Sequence, residues 1–152
     1  MGYAAGLGDH TVTATASDKA GNSASASASY SVKAWTLTGF YSPVDMGTTL
    51  NTVKGGSTVP LKFEVFAGSS ELASASTIAA TFKAQPINCS SAAALPEDAI
   101  EVLATGGTSL RYDTTGGQFI QNWQTPKTAG VCYKVTMTTL DGSTLSALFK
   151  LK

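Results

Sequence analysis

At 152 residues the chain has room for one generous domain, or for one domain with part of a neighbour attached. Hydrophobic residues make up 43% of it and charged residues only 13%, about half the share of an average soluble protein, with Ser, Thr, Ala and Gly filling the difference. Ten basic residues balance ten acidic ones, which leaves no basic field for nucleic acid or an anionic membrane surface, and no acidic tail.

The opening Met1-Gly2-Tyr3 has neither the basic start nor the apolar core of a signal peptide, so any export signal is expected to belong to a longer parent protein. No run of about 18 apolar residues follows, and insertion into a membrane is not expected. Strict alternation governs the first 33 residues. Ala24, Ala26, Ala28, Tyr30 and Val32 share one face of a strand, and Ser23, Ser25, Ser27, Ser29 and Ser31 the other. Val12, Ala14 and Ala16 alternate in the same way with Thr11, Thr13 and Thr15. The turn cluster Ser17-Asp18-Lys19-Ala20-Gly21-Asn22 between the two runs makes them a β-hairpin.

The stretch from Gly8-Asp9-His10-Thr11 through Ala20-Gly21-Asn22 resembles the closing hairpin of repeated bacterial immunoglobulin-like domains. The resemblance implies that residues 1–33 are the end of a truncated upstream repeat. A lone hairpin is not stable in water, and the apolar face of residues 9–33 needs cover. Docking on the second unit, or on another molecule's sheet in a strand-exchange oligomer, is the expectation.

The second unit, residues 34–152, opens with Trp35, Leu37 and Gly39-Phe40-Tyr41 as a first strand before Ser42-Pro43. A loop is expected over 45–56. In the next strand, from Thr58 to Phe66, Val59, Leu61, Phe63 and Val65 point one way and Pro60, Lys62 and Glu64 the other. Pro60 lacks a ladder donor, which places it at a strand start, a bulge or an edge. Further strands are expected over 76–84, 99–104, 110–113, 118–124, 131–139 and 144–151. Turn signals separate them at Gly106-Gly107, Thr114-Thr115-Gly116-Gly117, Thr125-Pro126-Lys127 and Asp141-Gly142-Ser143. Residues 90–95, with three alanines in a row, allow one helical turn at most. About seven short strands at this spacing predict an all-β, immunoglobulin-like antiparallel β-sandwich, with the N-terminal β-hairpin as an addition.

There are two cysteines, Cys89 and Cys132, in a chain composed like an exported one, and one disulfide is expected between them. It would contribute about 3 to 4 kcal/mol in the chain-entropy account. Two unpaired buried thiols in a cytosolic protein are the competing reading. A metal site is not expected, because two cysteines and the distant His10 do not make four ligands.

Phe40-Tyr41-Ser42-Pro43-Val44, Leu50-Asn51-Thr52-Val53-Lys54-Gly55-Gly56 and Val59-Pro60-Leu61-Lys62-Phe63 resemble the opening of the PxKF domain, named for its Pro-x-Lys-Phe signature. Cys89, Leu110-x-Tyr112-Asp113, Phe119 to Trp123, Gly130-Val131-Cys132, Leu140-Asp141-Gly142-Ser143 and Ala147-Leu148-Phe149 continue the pattern across residues 35–152. The resemblance implies a disulfide-bridged sandwich near the C-terminus of secreted multidomain bacterial proteins, especially of actinobacteria, with an accessory role and no chemistry to carry over. The polar stretch 71–80 departs from the pattern, where members vary.

Catalysis is not expected. A hydrolytic triad needs a base, and His10, the only histidine, sits beside Asp9 at the start of the hairpin, where a solvated strand-end role suffices. Glu64, Glu71, Glu97, Asp98, Glu101 and Asp113 are scattered, whereas glycoside hydrolysis needs two carboxylates facing across a cleft. Asp18 with Asn22, or Glu97 with Asp98, falls short of an alternating calcium loop, and Asx turn bonding accounts for the first pair. Lys62 would need to face the core to form an isopeptide bond, and its apolar neighbours hold that face. No cofactor is called for.

Aromatic stacking on a sugar is the remaining chemistry, with Trp35, Tyr41 and Trp123 as candidate ligand-binding residues. Against it, Trp123 alternates with Phe119 and Gln121 as a core residue does. The parity of Cys132 is opposite to that of Val135, which calls for a bulge near Gly130 or a bridge to a loop over the sheet edge. Two functions follow: a non-catalytic extracellular spacer or C-terminal module whose partners are neighbouring domains, or a carbohydrate-binding or adhesion module that holds an attached enzyme on a polysaccharide.

Overall fold

The structure, a computed structural model, describes residues 6–102 and 109–152. Met1-Gly2-Tyr3, the end of the strand expected over 99–104 and the Gly106-Gly107 turn lie outside the described residues. The chain divides into two units, Met1–Ala34 and Trp35–Lys152.

The first unit is the expected hairpin, with β1 (Gly8–Ser17) antiparallel to β2 (Ser23–Val32) in unbroken register from Gly8↔Val32 to Ser17↔Ser23. Ser and Ala are poor strand formers, so the turn has to set the register. The Asp18 carboxylate does this by accepting the N–H groups of Ala20 and Asn22 at 2.9 Å each, while Gly21 takes a positive φ of 89°. One face is a ladder of paired hydroxyls: Thr13 with Ser27, Thr15 with Ser25 and Ser17 with Ser23, each at 2.8 Å, and Thr11 with Ser29 at 3.3 Å. The other carries Val12 opposite Ala28, Ala14 opposite Ala26, and His10 stacked on Tyr30 at 5.3 Å. Among the described residues of this unit no side chain is buried.

The second unit is a two-sheet sandwich. One sheet runs β3 (Thr36–Gly39), β5 (Thr58–Ala67), β10 (Gln118–Gln124), β9 (Arg111–Asp113), with β6 (Ser70–Glu71) also pairing β5. The other runs β4 (Leu50–Val53), β12 (Thr144–Leu151), β11 (Cys132–Thr138), β7 (Thr81–Ile87), β8 (Ile100–Glu101). Among the described residues all pairings in the unit are antiparallel except β4 on β12. In immunoglobulin terms these are an ABED sheet facing a sheet of G, F and C with a short strand at each end.

The core lies between the sheets and follows the alternation of the sequence. Val59, Leu61, Phe63 and Val65 of β5 meet Phe82 and Ala84 of β7, Tyr133, Val135 and Met137 of β11, and Ala147, Phe149 and Leu151 of β12. Phe63 is the hub, stacked on Phe119 at 5.4 Å and edge-on to Phe40 at 6.2 Å. Truncating a ring so enclosed costs about 3–5 kcal/mol. Pro60 sits near the start of β5, opposite Asn122, and Lys62 lies half-buried on the outer face, as expected of both.

Three local expectations are corrected. Residues 76–84 are not one strand: Ala75–Ile78 form a helical turn, α1, capped by the Ser74 side chain, and the strand is shifted to Thr81–Ile87. The run 45–56 is not all loop, because β4 adds in parallel to β12, with buried Asn51 donating to the carbonyls of Asp45 at 2.8 Å and Leu148 at 2.9 Å. A bulge is present at Gly130, φ 82°, where Gly130 and Val131 together oppose Leu151, but it does not account for the parity of Cys132, since β11 pairs β7 without a break from Cys132↔Ile87 to Thr138↔Thr81.

Candidate functional site

The cysteine parity is explained by the bridge. Cys89 lies just beyond the end of β7, and β11 presents Cys132 to it from the next strand, so the Cys89–Cys132 disulfide forms across a Cα separation of 5.3 Å and a sequence separation of 43. Tyr133 takes the core face, and Cys132, 1% exposed, is covered on the opposite one. The turn held down by the bridge is shaped by Asn88, whose side-chain oxygen accepts the Ser90 N–H at 2.8 Å, and not by a helix over 90–95.

The three aromatic candidates are not brought together. Trp123 is 2% exposed and packs edge-on to Phe149 at 4.9 Å and to Tyr133 at 6.2 Å. Trp35, just before β3, is half-buried against the core, with its backbone N–H donated to the Asp141 carboxylate at 2.7 Å. Tyr41 is half-buried and donates its hydroxyl to Glu64. Among the described residues no two of these rings touch. Sequence periodicity was sufficient to place Trp123 in the core; the anchoring of Trp35 and Tyr41 by distant carboxylates has no sequence signal.

The titratable groups are likewise engaged in structure. Burial acts to raise the Asp141 carboxyl, but hydrogen bonds from Thr139, the Trp35 N–H and both the hydroxyl and N–H of Ser143 outweigh it and hold it down at about 2. The Tyr112 hydroxyl is pushed up to about 12 by its 2.6 Å bond to Glu71, and Tyr41 is raised by burial and by Glu64. The Asp18 carboxyl is lowered by the Asn22 side chain and the turn amides, the Asx bonding expected of it. His10 bonds the Gly6 carbonyl at 2.6 Å and stacks on Tyr30. Among the described residues no three His, Cys, Asp or Glu side chains are grouped closely enough to hold a metal ion.

Two recesses mark the β7–β8 side of the sandwich. One of about 370 Å³ is lined by Ala84, Ile100, Glu101, Pro126, Lys127 and the buried Trp123 among others. The second, of about 330 Å³, is lined by Phe82, Val102, Leu110 and Gln121 among others. Gln121 was missed as a distinctive residue: it is 5% exposed on the core side of β10, and its amide has no hydrogen-bond partner among the described residues.

Among the described residues no helix is long and apolar enough to cross a membrane. No protein-family model and no characterised protein matches the sequence.

Proposed function

We propose that the chain is a non-catalytic extracellular accessory module, a spacer or C-terminal domain of PxKF type over residues 34–152, within a larger secreted bacterial protein. The observation that carries this reading is where the binding-competent side chains are spent. Trp123 is wedged between Phe149 and Tyr133, the Trp35 ring is half-buried against the core, the Tyr41 hydroxyl is donated to Glu64, and the Asp141 carboxylate joins strands. A module of this kind holds its neighbours by rigidity, to which the covalent bridge from the turn after β7 to β11 contributes. The bridge supports placement in an oxidising compartment.

Affinity electrophoresis through a panel of soluble glycans, with pull-down on insoluble ones, tests the reading. No retardation is expected. Retardation that disappears in Trp35→Ala, with the fold intact by circular dichroism, overturns the spacer role in favour of a polysaccharide-binding module.

A further inference from the structure

The two units treat their sheet edges in opposite ways. In the sandwich the edge strands of the two sheets are very short: β3 has four residues and β9 three, β4 four and β8 two. Such truncation is the usual protection of a sheet against pairing with another chain. The hairpin lacks it, since β1 and β2 are ten residues each and, among the described residues, pair only with one another.

The outward groups on β2 are identified by the turn. The Asp18 N–H donates to the Asn22 carbonyl at 2.9 Å, which makes that pair a hydrogen-bonded one, and such pairs recur every second residue up an antiparallel ladder. Even-numbered residues of β2 therefore bond inward to β1. Ser23, Ser25, Ser27, Ser29 and Ser31 turn their N–H and C=O groups to the open edge. The close hydroxyl pairs on these odd positions fit the shorter spacing of non-hydrogen-bonded pairs.

Residues 23–32 contain no charge, no proline and no bulge. The Ser-Ala alternation is also unchanged when the strand is reversed about Ser27. A two-fold axis there sets Ser27 on Ser27, Ser25 on Ser29 and Ala26 on Ala28, the same hydroxyl-to-hydroxyl and alanine-to-alanine matching that β1 and β2 already make. β1 is the poorer edge, because the equivalent axis at Thr13 carries Asp9 into the pairing.

We infer that the open edge of β2 is a self-recognition surface, through which two copies of the chain join their hairpins into one four-stranded antiparallel sheet centred on Ser27. Sedimentation velocity on the full chain from micromolar to millimolar concentration is the test. A concentration-dependent dimer is expected. Ser27→Pro, which removes the central outward donor, and Ser27→Lys, which sets two cations opposite one another, are each expected to raise the dimer dissociation constant at least tenfold. Thr13→Pro, on the far edge, leaves it unchanged. Amide exchange gives a second readout that does not depend on the variants folding: Ser25, Ser27 and Ser29 gain protection as concentration rises, while Ala26 is already protected by β1. A chain that stays monomeric throughout, a dimer indifferent to both Ser27 variants, or one lost equally in Thr13→Pro overturns the proposal.

Discussion

The carboxylate of Asp141, in the turn between β11 and β12, accepts the backbone N–H of Trp35 at 2.7 Å, tying the first strand of one sheet to the hairpin of the other. Ser143 reinforces the tie by reaching the Trp35 carbonyl at 3.3 Å. The sandwich thus closes one end with a single charge that accepts four hydrogen bonds, none of them from a cation.

Because the folded Asp141 carboxyl is held at about 2, below its ordinary 3.8, its contribution is fully present above pH 4 and is lost as the pH falls toward 2. Partial solvent screening brings that contribution to about 1–2 kcal/mol. Urea unfolding at pH 5 and at pH 2.5 is expected to show the loss of about two-thirds of this contribution, which Asp141→Asn abolishes. An equal loss in both proteins would place the acid sensitivity elsewhere.

The Cys89–Cys132 bridge closes a loop of 43 residues, and reduction or Cys132→Ser is expected to cost about 3–4 kcal/mol. Thermal melts with and without reductant measure it. No change in melting temperature would mean that the reduced chain retains the same contacts.

Gln121 is buried on the core side, its amide without a partner among the described residues, so replacing it by an apolar side chain of similar shape removes a desolvation penalty. Gln121→Met is expected to stabilise by about 1 kcal/mol, read as a rise in the urea midpoint at constant slope. A midpoint that falls would reveal a bond to this amide.

Gly39 adopts a φ of +120°, and a Cβ there would lie 2.7 Å from the Lys62 carbonyl oxygen. Gly39→Ala is expected to destabilise by about 2–3 kcal/mol through backbone strain and the displacement of β3 from β5. Gly47, also at positive φ but with open space around it, provides the comparison, and Gly47→Ala is expected to cost about 1 kcal/mol.

What the sequence determined by itself is the part governed by local alternation. The faces of β5, the bounds of β10 and β12, the hairpin and the burial of Trp123 all follow from a period of two interrupted by turn residues. The single bridge followed from composition. Tertiary structure decided whatever depends on a distant partner. Leu50–Val53 reads as loop because Asn51 is polar, and it becomes a strand only where Leu148 offers its carbonyl. Cys132 breaks the parity of β11 because its partner lies over the opposite face of the sheet. Trp35 and Tyr41 read as sugar platforms until the core half-buries the first and a carboxylate 23 residues away takes the hydroxyl of the second. Alternation specifies which face a side chain takes; only the packed sheets specify what it meets there.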